Sequence, residues 1–277
     1  TLISCGDKKE TNSDSKEQSE VVFQQPEFTY PTTEKDTNAW DTYFDLKIAD
    51  PYRWLENDTA SNTKAWVEAQ NAVTFNYLDK IPFRSKIKTR LEEIYNYARA
   101  SAPSKAGDHY FYNKNSGLQN QAVLYYKKGV NGEEKVFIDP NTINKEGTST
   151  FSLIGFSKDH KYVSIGRSDA GSDWVTITVR NVETNTETGD TLTWCKFTEA
   201  AWFNDGFFYS RYPTPAKGKE FSAKNEFHKV YYHKMGTPQS KDILIYEDLK
   251  NKLHYHTVEI TEDNKYLILT KSSGTDG

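Results

Sequence analysis

The sequence predicts a mainly β protein in which a helical arm precedes part of a β-propeller, and three observations support that class. The first is a repeated unit. Residues 156–178 hold a polar turn (Lys158-Asp159-His160-Lys161), a strand of period-two alternation over 162–166, a Gly-bearing turn over 169–173 and a second strand over 174–179. That order is an antiparallel hairpin. A close copy begins at Ile260 and puts Asp276 where the first has Asp173, with weaker copies at 203–211 and 107–112. The second observation is the spacing. The aromatic residues that follow the turns, Tyr110, Tyr162, Phe208 and Tyr266, stand 52, 46 and 58 residues apart. A period of roughly 50 residues with several short strands is what one propeller blade needs. The third is composition, because 14% aromatic residues, mainly 18 Tyr and 15 Phe, suit packed sheets.

Bulk properties exclude several classes. A chain of 277 residues makes one large or two ordinary domains. Its net charge of −4 with both signs well mixed leaves no basic face for nucleic acid. No stretch approaches the ~20 apolar residues of a membrane helix. The two cysteines, Cys5 and Cys195, form neither a disulfide framework nor a C-x-x-C metal spacing.

Leu2-Ile3-Ser4-Cys5-Gly6 has the apolar-apolar-small-Cys order of a bacterial lipobox, and the polar run 7–20 that follows contains no aromatic residue. Residues 1–29 are therefore expected to be a lipobox remnant and disordered tether. An acylated Cys5 would hold the protein to a membrane surface in the periplasm without a spanning helix. The alternative is a stray cysteine in a floppy tail.

Residues 30–100 form the expected arm. Pro51 forces extended or turn geometry at Asp50. Thr59 or Ser61 can cap a helix to about Leu78 whose broad face holds Trp66, Val67, Gln70, Val73, Tyr77 and Leu78. Pro82 suits the first turn of a second helix with the stripe Ile87, Leu91, Ile94 and Tyr95. Two helices joined by short connections should pack as a scaffold. Residues 101–277 carry the blades, with Asn131-Gly132 as a hairpin turn before the strand 135–138. At roughly 50 residues each, about three and a half blades fit there. Closing a ring takes about 4 to 8. Open sheet faces and further sequence beyond residue 277 are expected.

Chemistry is scarce. The sequence contains no G-x-S-x-G elbow, P-loop, G-x-G-x-x-G or H-E-x-x-H. Among six histidines, only His254 and His256 have the spacing that would put two imidazoles on one strand face, and a metal would need further ligands. An Asp in a blade turn more often bonds its own backbone than acts as an acid. No cofactor or metal site is expected, and nothing in the chain can run a reaction alone.

Six motifs in order make a more specific statement: Asp50-Pro-Tyr-Arg-Trp-Leu-Glu56, Thr63-Lys-Ala-Trp-Val-Glu-Ala-Gln-Asn71, Tyr110-Phe-Tyr112, Gly117-Leu-Gln-Asn-Gln121, Leu124-Tyr125 and Gly171-Ser-Asp-Trp-Val-Thr-Ile177. Together they resemble the prolyl oligopeptidase family over nearly everything from Tyr30 onward. The resemblance implies the helical N-terminal arm of an α/β-hydrolase domain followed by roughly the first half of a seven-bladed β-propeller. It further implies a monomeric serine peptidase that cuts short peptides after proline, its propeller gating access to a Ser-Asp-His triad in the C-terminal catalytic domain. None of those three residues is in this chain, which alone should be inert. By the same resemblance Phe197 matches a pocket aromatic beside the proline site, although an interior blade aromatic is the alternative. Asp173 matches an acid that pairs with a substrate-orienting Arg, with a turn Asp as its alternative. Tyr255 and Thr275 stand where the family has Met and Cys, so the outer pocket should differ in shape and polarity. A non-catalytic peptide-binding propeller and an oligopeptidase specific for basic residues are the competing readings.

Overall fold

A computed structural model describes residues 27–143, 146–220 and 222–274. Cys5, Thr275 and Asp276 lie outside the described residues. The arm opens with a two-residue hairpin. Strand β1 (Trp40–Tyr43) pairs antiparallel with β2 (Leu46–Ala49), and Phe44 and Asp45 both take left-handed backbone at φ 49° and 67°. Arg53 ties the hairpin to the following turn through Asp41 at 2.5 Å and Asp50 at 3.0 Å.

Helix α1 (Ser61–Leu78) starts without the expected side-chain cap: its N-cap is Ala60. The Thr59 hydroxyl instead donates to Asn57 Oδ1 at 2.9 Å, and Ser61 is already inside the helix. Trp66, Gln70, Val73, Tyr77 and Leu78 are half-buried on one face, while Val67 stays exposed. Helix α2 (Arg84–Tyr95) begins two residues after Pro82. Its stripe of Ile87, Leu91, Ile94 and Tyr95 is about half exposed at every position. The expectation of a packed scaffold thus fails for α2, whose apolar face lies open.

The strands then run as antiparallel meanders. A first blade holds β3 (Arg99–Ala100), β4 (Ser104–Ala106), β5 (His109–Asn115), β6 (Val123–Lys128) and β7 (Lys135–Ile138). The second holds β8 (Ser149–Phe156), β9 (Tyr162–Asp169), β10 (Val175–Asn181) and β11 (Thr186–Cys195). The third holds β12 (Ala201–Phe203), β13 (Gly206–Arg211), β14 (Lys229–Lys234) and β15 (Ile243–Glu247), joined to the second by the single β11–β13 pair Cys195–Arg211, and β16 (Tyr255–Ile260) with β17 (Leu267–Ser272) belong to a fourth. This is the partial propeller the repeat predicts.

The repeat marks the turn that leads into β5, β9, β13 and β17. One residue there is left-handed every time: Gly107, His160, Asn204 and Asn264, at φ 57°, 56°, 50° and 58°. Polar side chains close two of these turns identically. In the second blade Ser157 Oγ donates to Asp159 Oδ1 and accepts the Tyr162 N–H, while Asp159 also accepts from Lys161 N–H. Thr261, Asp263, Lys265 and Tyr266 reproduce the network in the fourth. These aspartates are turn-formers.

Each apolar layer takes residues from two consecutive sheets. Phe111 and Phe137 of the first blade pack on Val163, Ile165 and Val182 of the second. Ile177 and Leu192 of the second pack on Trp202, Phe207 and Tyr209 of the third. Phe208 and Val230 pack on Val258 of the fourth. Inner strands meet closely at Gly155, where a Cβ would stand 2.1 Å from the Ala200 carbonyl oxygen.

A buried polar tie crosses the second boundary. His233 of β14 is wholly buried, with Nδ1 2.7 Å from Asp242 Oδ1 and Nε2 3.1 Å from Asp190 Oδ1. Tyr209 donates to Asp242 at 2.7 Å, and Thr188 and the Gly236 N–H each donate to Asp190 at 2.6 Å. Burial works against a charge on His233, but the Asp242 and Asp190 carboxylates outweigh it and raise its pKa. Its contribution to stability is complete below the unfolded value near 6.5 and is lost as pH rises through the higher folded value. His233→Gln should therefore flatten the loss of stability above about pH 6.5 in urea unfolding series. By the same assay, Phe207→Ala at the centre of the second layer is expected to cost about 3–5 kcal/mol.

Candidate functional site

The β10–β11 hairpin assembles the site. Val175 pairs with Cys195 in register, so Asp173-Trp174, just before β10, and Lys196-Phe197, just after β11, come together at the open end of the two strands. Lys196 is the hub. Its buried side chain puts Nζ 3.2 Å from Asp173 Oδ2, 5.3 Å from the centre of the Trp174 ring and 5.5 Å from that of Phe197. Such a lysine buries its stem along aromatic surface and keeps its charge at the rim.

Phe197 is 50% exposed, and its ring lies 5.2 Å from the Tyr255 ring of β16 at an interplanar angle of 40°. The pair joins the segment between β11 and β12 to the start of β16 as one aromatic wall. Trp174 stands edge-on to Trp194 and Tyr212, at 5.5 and 6.1 Å, and donates from Nε1 to the Glu220 carbonyl at 2.7 Å. Between Trp174, Tyr212, Pro213, Pro215 and Phe227 lies a cavity of about 230 Å³. Burial, with Tyr255 nearby, pushes the Tyr212 phenol up to about 12, so it is neutral at ordinary pH.

The segment 194–197 is strained. Trp194 and Phe197 take φ of 60° and 50°, which costs an aromatic residue about 1–3 kcal/mol and persists where the surroundings over-determine it. Part of that determination is visible. His228, wholly buried before β14, has Nε2 2.9 Å from the Lys196 carbonyl oxygen, and the His256 N–H donates to its Nδ1 at 2.9 Å. Burial lowers its pKa to about 4.

Of the residues singled out from the sequence, Phe197, Asp173 and Tyr255 are brought to one place, with Lys196 touching the first two. The turn before β10 is closed by Ser172, whose Oγ accepts the Trp174 N–H at 3.1 Å, while the Asp173 side chain is 75% exposed and turned to Lys196. Phe197 is half exposed. Thr275 and Cys5 lie outside the described residues. His254 stands half-buried just before β16, and His256 is buried within that strand. Sequence reasoning gave no role to Lys196 or His228, and neither carries a periodic or motif signal of its own.

Chemically, this surface offers an aromatic wall, a shielded ammonium and an accessible carboxylate. The Cys195 thiol is no nucleophile, since it is buried and burial pushes its pKa well up.

Comparison with known proteins agrees in extent and fold. The family described as "Prolyl oligopeptidase, N-terminal beta-propeller domain" matches residues 31–277. The prolyl endopeptidase of Elizabethkingia meningoseptica is 42% identical over 249 residues, covering 90% of this chain and 35% of that protein. The prolyl endopeptidase of Elizabethkingia miricola is 43% identical over the same shares. Among solved structures, prolyl oligopeptidase B from Galerina marginata bound to a 25mer macrocyclization substrate superposes with a TM-score of 0.69 at 30% identity, covering 88% of this chain and 37% of that one. The chain spans about a third of the length of the relatives it matches.

The Lys196 geometry separates charge from packing. Lys196→Met keeps the stem and loses the half-solvated ion pair, and should cost less than about 1 kcal/mol in urea unfolding. Lys196→Ala also uncovers Trp174 and is expected to cost about 2 kcal/mol more.

Proposed function

We propose, given that the chain belongs to the prolyl oligopeptidase family, that it supplies the substrate-selecting part of a serine endopeptidase cutting short peptides on the carboxyl side of proline. The observation that carries this reading is the half-exposed Phe197, held in left-handed backbone beside Tyr255 and one lysine away from Asp173. An aromatic wall next to an accessible carboxylate suits a peptide whose apolar side chain packs while its backbone is oriented by polar groups. Asp173, 75% exposed on its side chain, has room for a second cationic partner such as the substrate-orienting Arg of a catalytic domain.

In the whole protein a C-terminal catalytic domain brings the Ser-Asp-His triad, and the propeller gates short peptides toward it. The open apolar stripe of α2 and the exposed Ile243, Ile245, Leu267 and Ile268 are surfaces that such further polypeptide would cover. Acylation of Cys5 would place the enzyme on a membrane surface in the periplasm, as a monomer. No cofactor enters the reaction.

The test is release of a chromophore from a blocked glycyl-prolyl substrate, with an arginyl substrate alongside. The full-length protein should cleave the prolyl substrate alone, and the 277-residue chain neither. Arginyl cleavage would move the specificity to basic residues. No cleavage by folded full-length protein would make the propeller a non-catalytic peptide-binding module. In the full-length enzyme Phe197→Ala should raise KM for the prolyl peptide about tenfold with kcat within about twofold, and unchanged values would remove Phe197 from the site.

A further inference from the structure

The two rings of the aromatic wall belong to different blades, and no backbone ladder joins the segments that carry them. Phe197 follows β11, whereas Tyr255 opens β16. One side chain bonds directly to the backbone of both segments. His228 reaches the carbonyl oxygen of Lys196 with Nε2 and the N–H of His256 with Nδ1, each at 2.9 Å. The first group belongs to the peptide unit that leads into Phe197, the second to the peptide unit that leaves Tyr255. Fixing the Lys196–Phe197 peptide plane fixes where the φ rotation of Phe197 starts, and that φ is the strained one at 50°.

The partners also fix the tautomer. A backbone N–H only donates, so Nδ1 must accept, and a carbonyl only accepts, so Nε2 must carry the hydrogen. Neutral imidazole satisfies both bonds at once. An imidazolium would bring an Nδ1–H against the His256 N–H. The groups facing the ring otherwise are Tyr212, at 4.4 Å between ring centres, and His256, at 6.0 Å. Neither supplies a negative charge that would favour protonation, and burial holds the pKa down near 4. The next peptide unit along β16 is held as well, since Ser210 Oγ donates to the His256 carbonyl at 2.8 Å.

We propose that His228 is a positioning residue of the substrate pocket, a neutral clamp that pins the peptides bearing Phe197 and Tyr255 so that the two rings present a single wall to the bound peptide. This rests on the reading that Phe197 contacts substrate.

The test uses the full-length enzyme and the blocked glycyl-prolyl substrate, with Phe197→Ala as reference. His228→Asn keeps an acceptor for the His256 N–H but loses the donor to Lys196, and should raise KM about tenfold with kcat within about twofold. His228→Gln returns an amide donor toward Lys196 and should bring KM back to within about threefold of the parent. In the Phe197→Ala background, His228→Asn should change KM no further, because its effect passes through that ring. A folded His228→Asn protein with parental KM, or a penalty that adds in full to that of Phe197→Ala, overturns the clamp while leaving the pocket standing. An unchanged KM in Phe197→Ala alone overturns the pocket reading, and the clamp with it. Should His228→Asn not fold, the pH profile decides. Parental KM is expected to climb as pH falls toward about 4 while His228→Gln stays level, and coincident profiles overturn the clamp.

Discussion

Everything in this molecule depends on sheets that have no core of their own. A blade is one sheet thick, so its apolar face is dry only when the next blade lies on it. Phe137, Ile165, Phe207 and Val230 are buried because of what a neighbouring sheet contributes, not because of their own hairpins. Burying side chains of this size is worth about 1.5–3 kcal/mol each, and two-stranded pieces without such cover are marginal at best. Segments such as 194–197 can then be bent into costly conformations, because rigid layers on either side determine where their ends must be.

Two buried histidines show how one residue type serves opposite ends. His233 lies between the carboxylates of Asp190 and Asp242, which favour its charged form against the cost of burial. His228 lies between a carbonyl and an N–H, which together accept only the neutral ring. The first binds two blades through a pair of carboxylates, the second is a template for two peptide planes. Environment, not identity, assigns the role.

How much of this was legible in the sequence follows from how local each signal is. The blade repeat was legible because a turn residue with left-handed backbone and the aromatic that follows it are set within a few positions, as at His160 and Tyr162. Asp159 and Asp263 as turn-formers were legible for the same reason. The α1 face was nearly right, but its cap was not, since Thr59 had a closer partner in Asn57. The α2 stripe was misjudged as packed because periodicity shows that a face is apolar, not what covers it. Phe197 and Asp173 came from family resemblance. Their meeting depends on the register of Val175 with Cys195, and His228 depends on contacts with Lys196 and His256 from two other segments. No window of adjacent residues contains that information.

The layer rule also sets an order in time. A sheet emerging from the ribosome stays sticky on one face until roughly 50 more residues have been made, which at 5–20 residues per second is about 3 to 10 s. Synthesis would pass through several such pauses, each ending when the following hairpins dock. Rare codons inside a blade would prolong one exposure, whereas between blades they would let a finished sheet settle. The blade period is thus also a clock for the vulnerability of the nascent chain to holdases and to premature association.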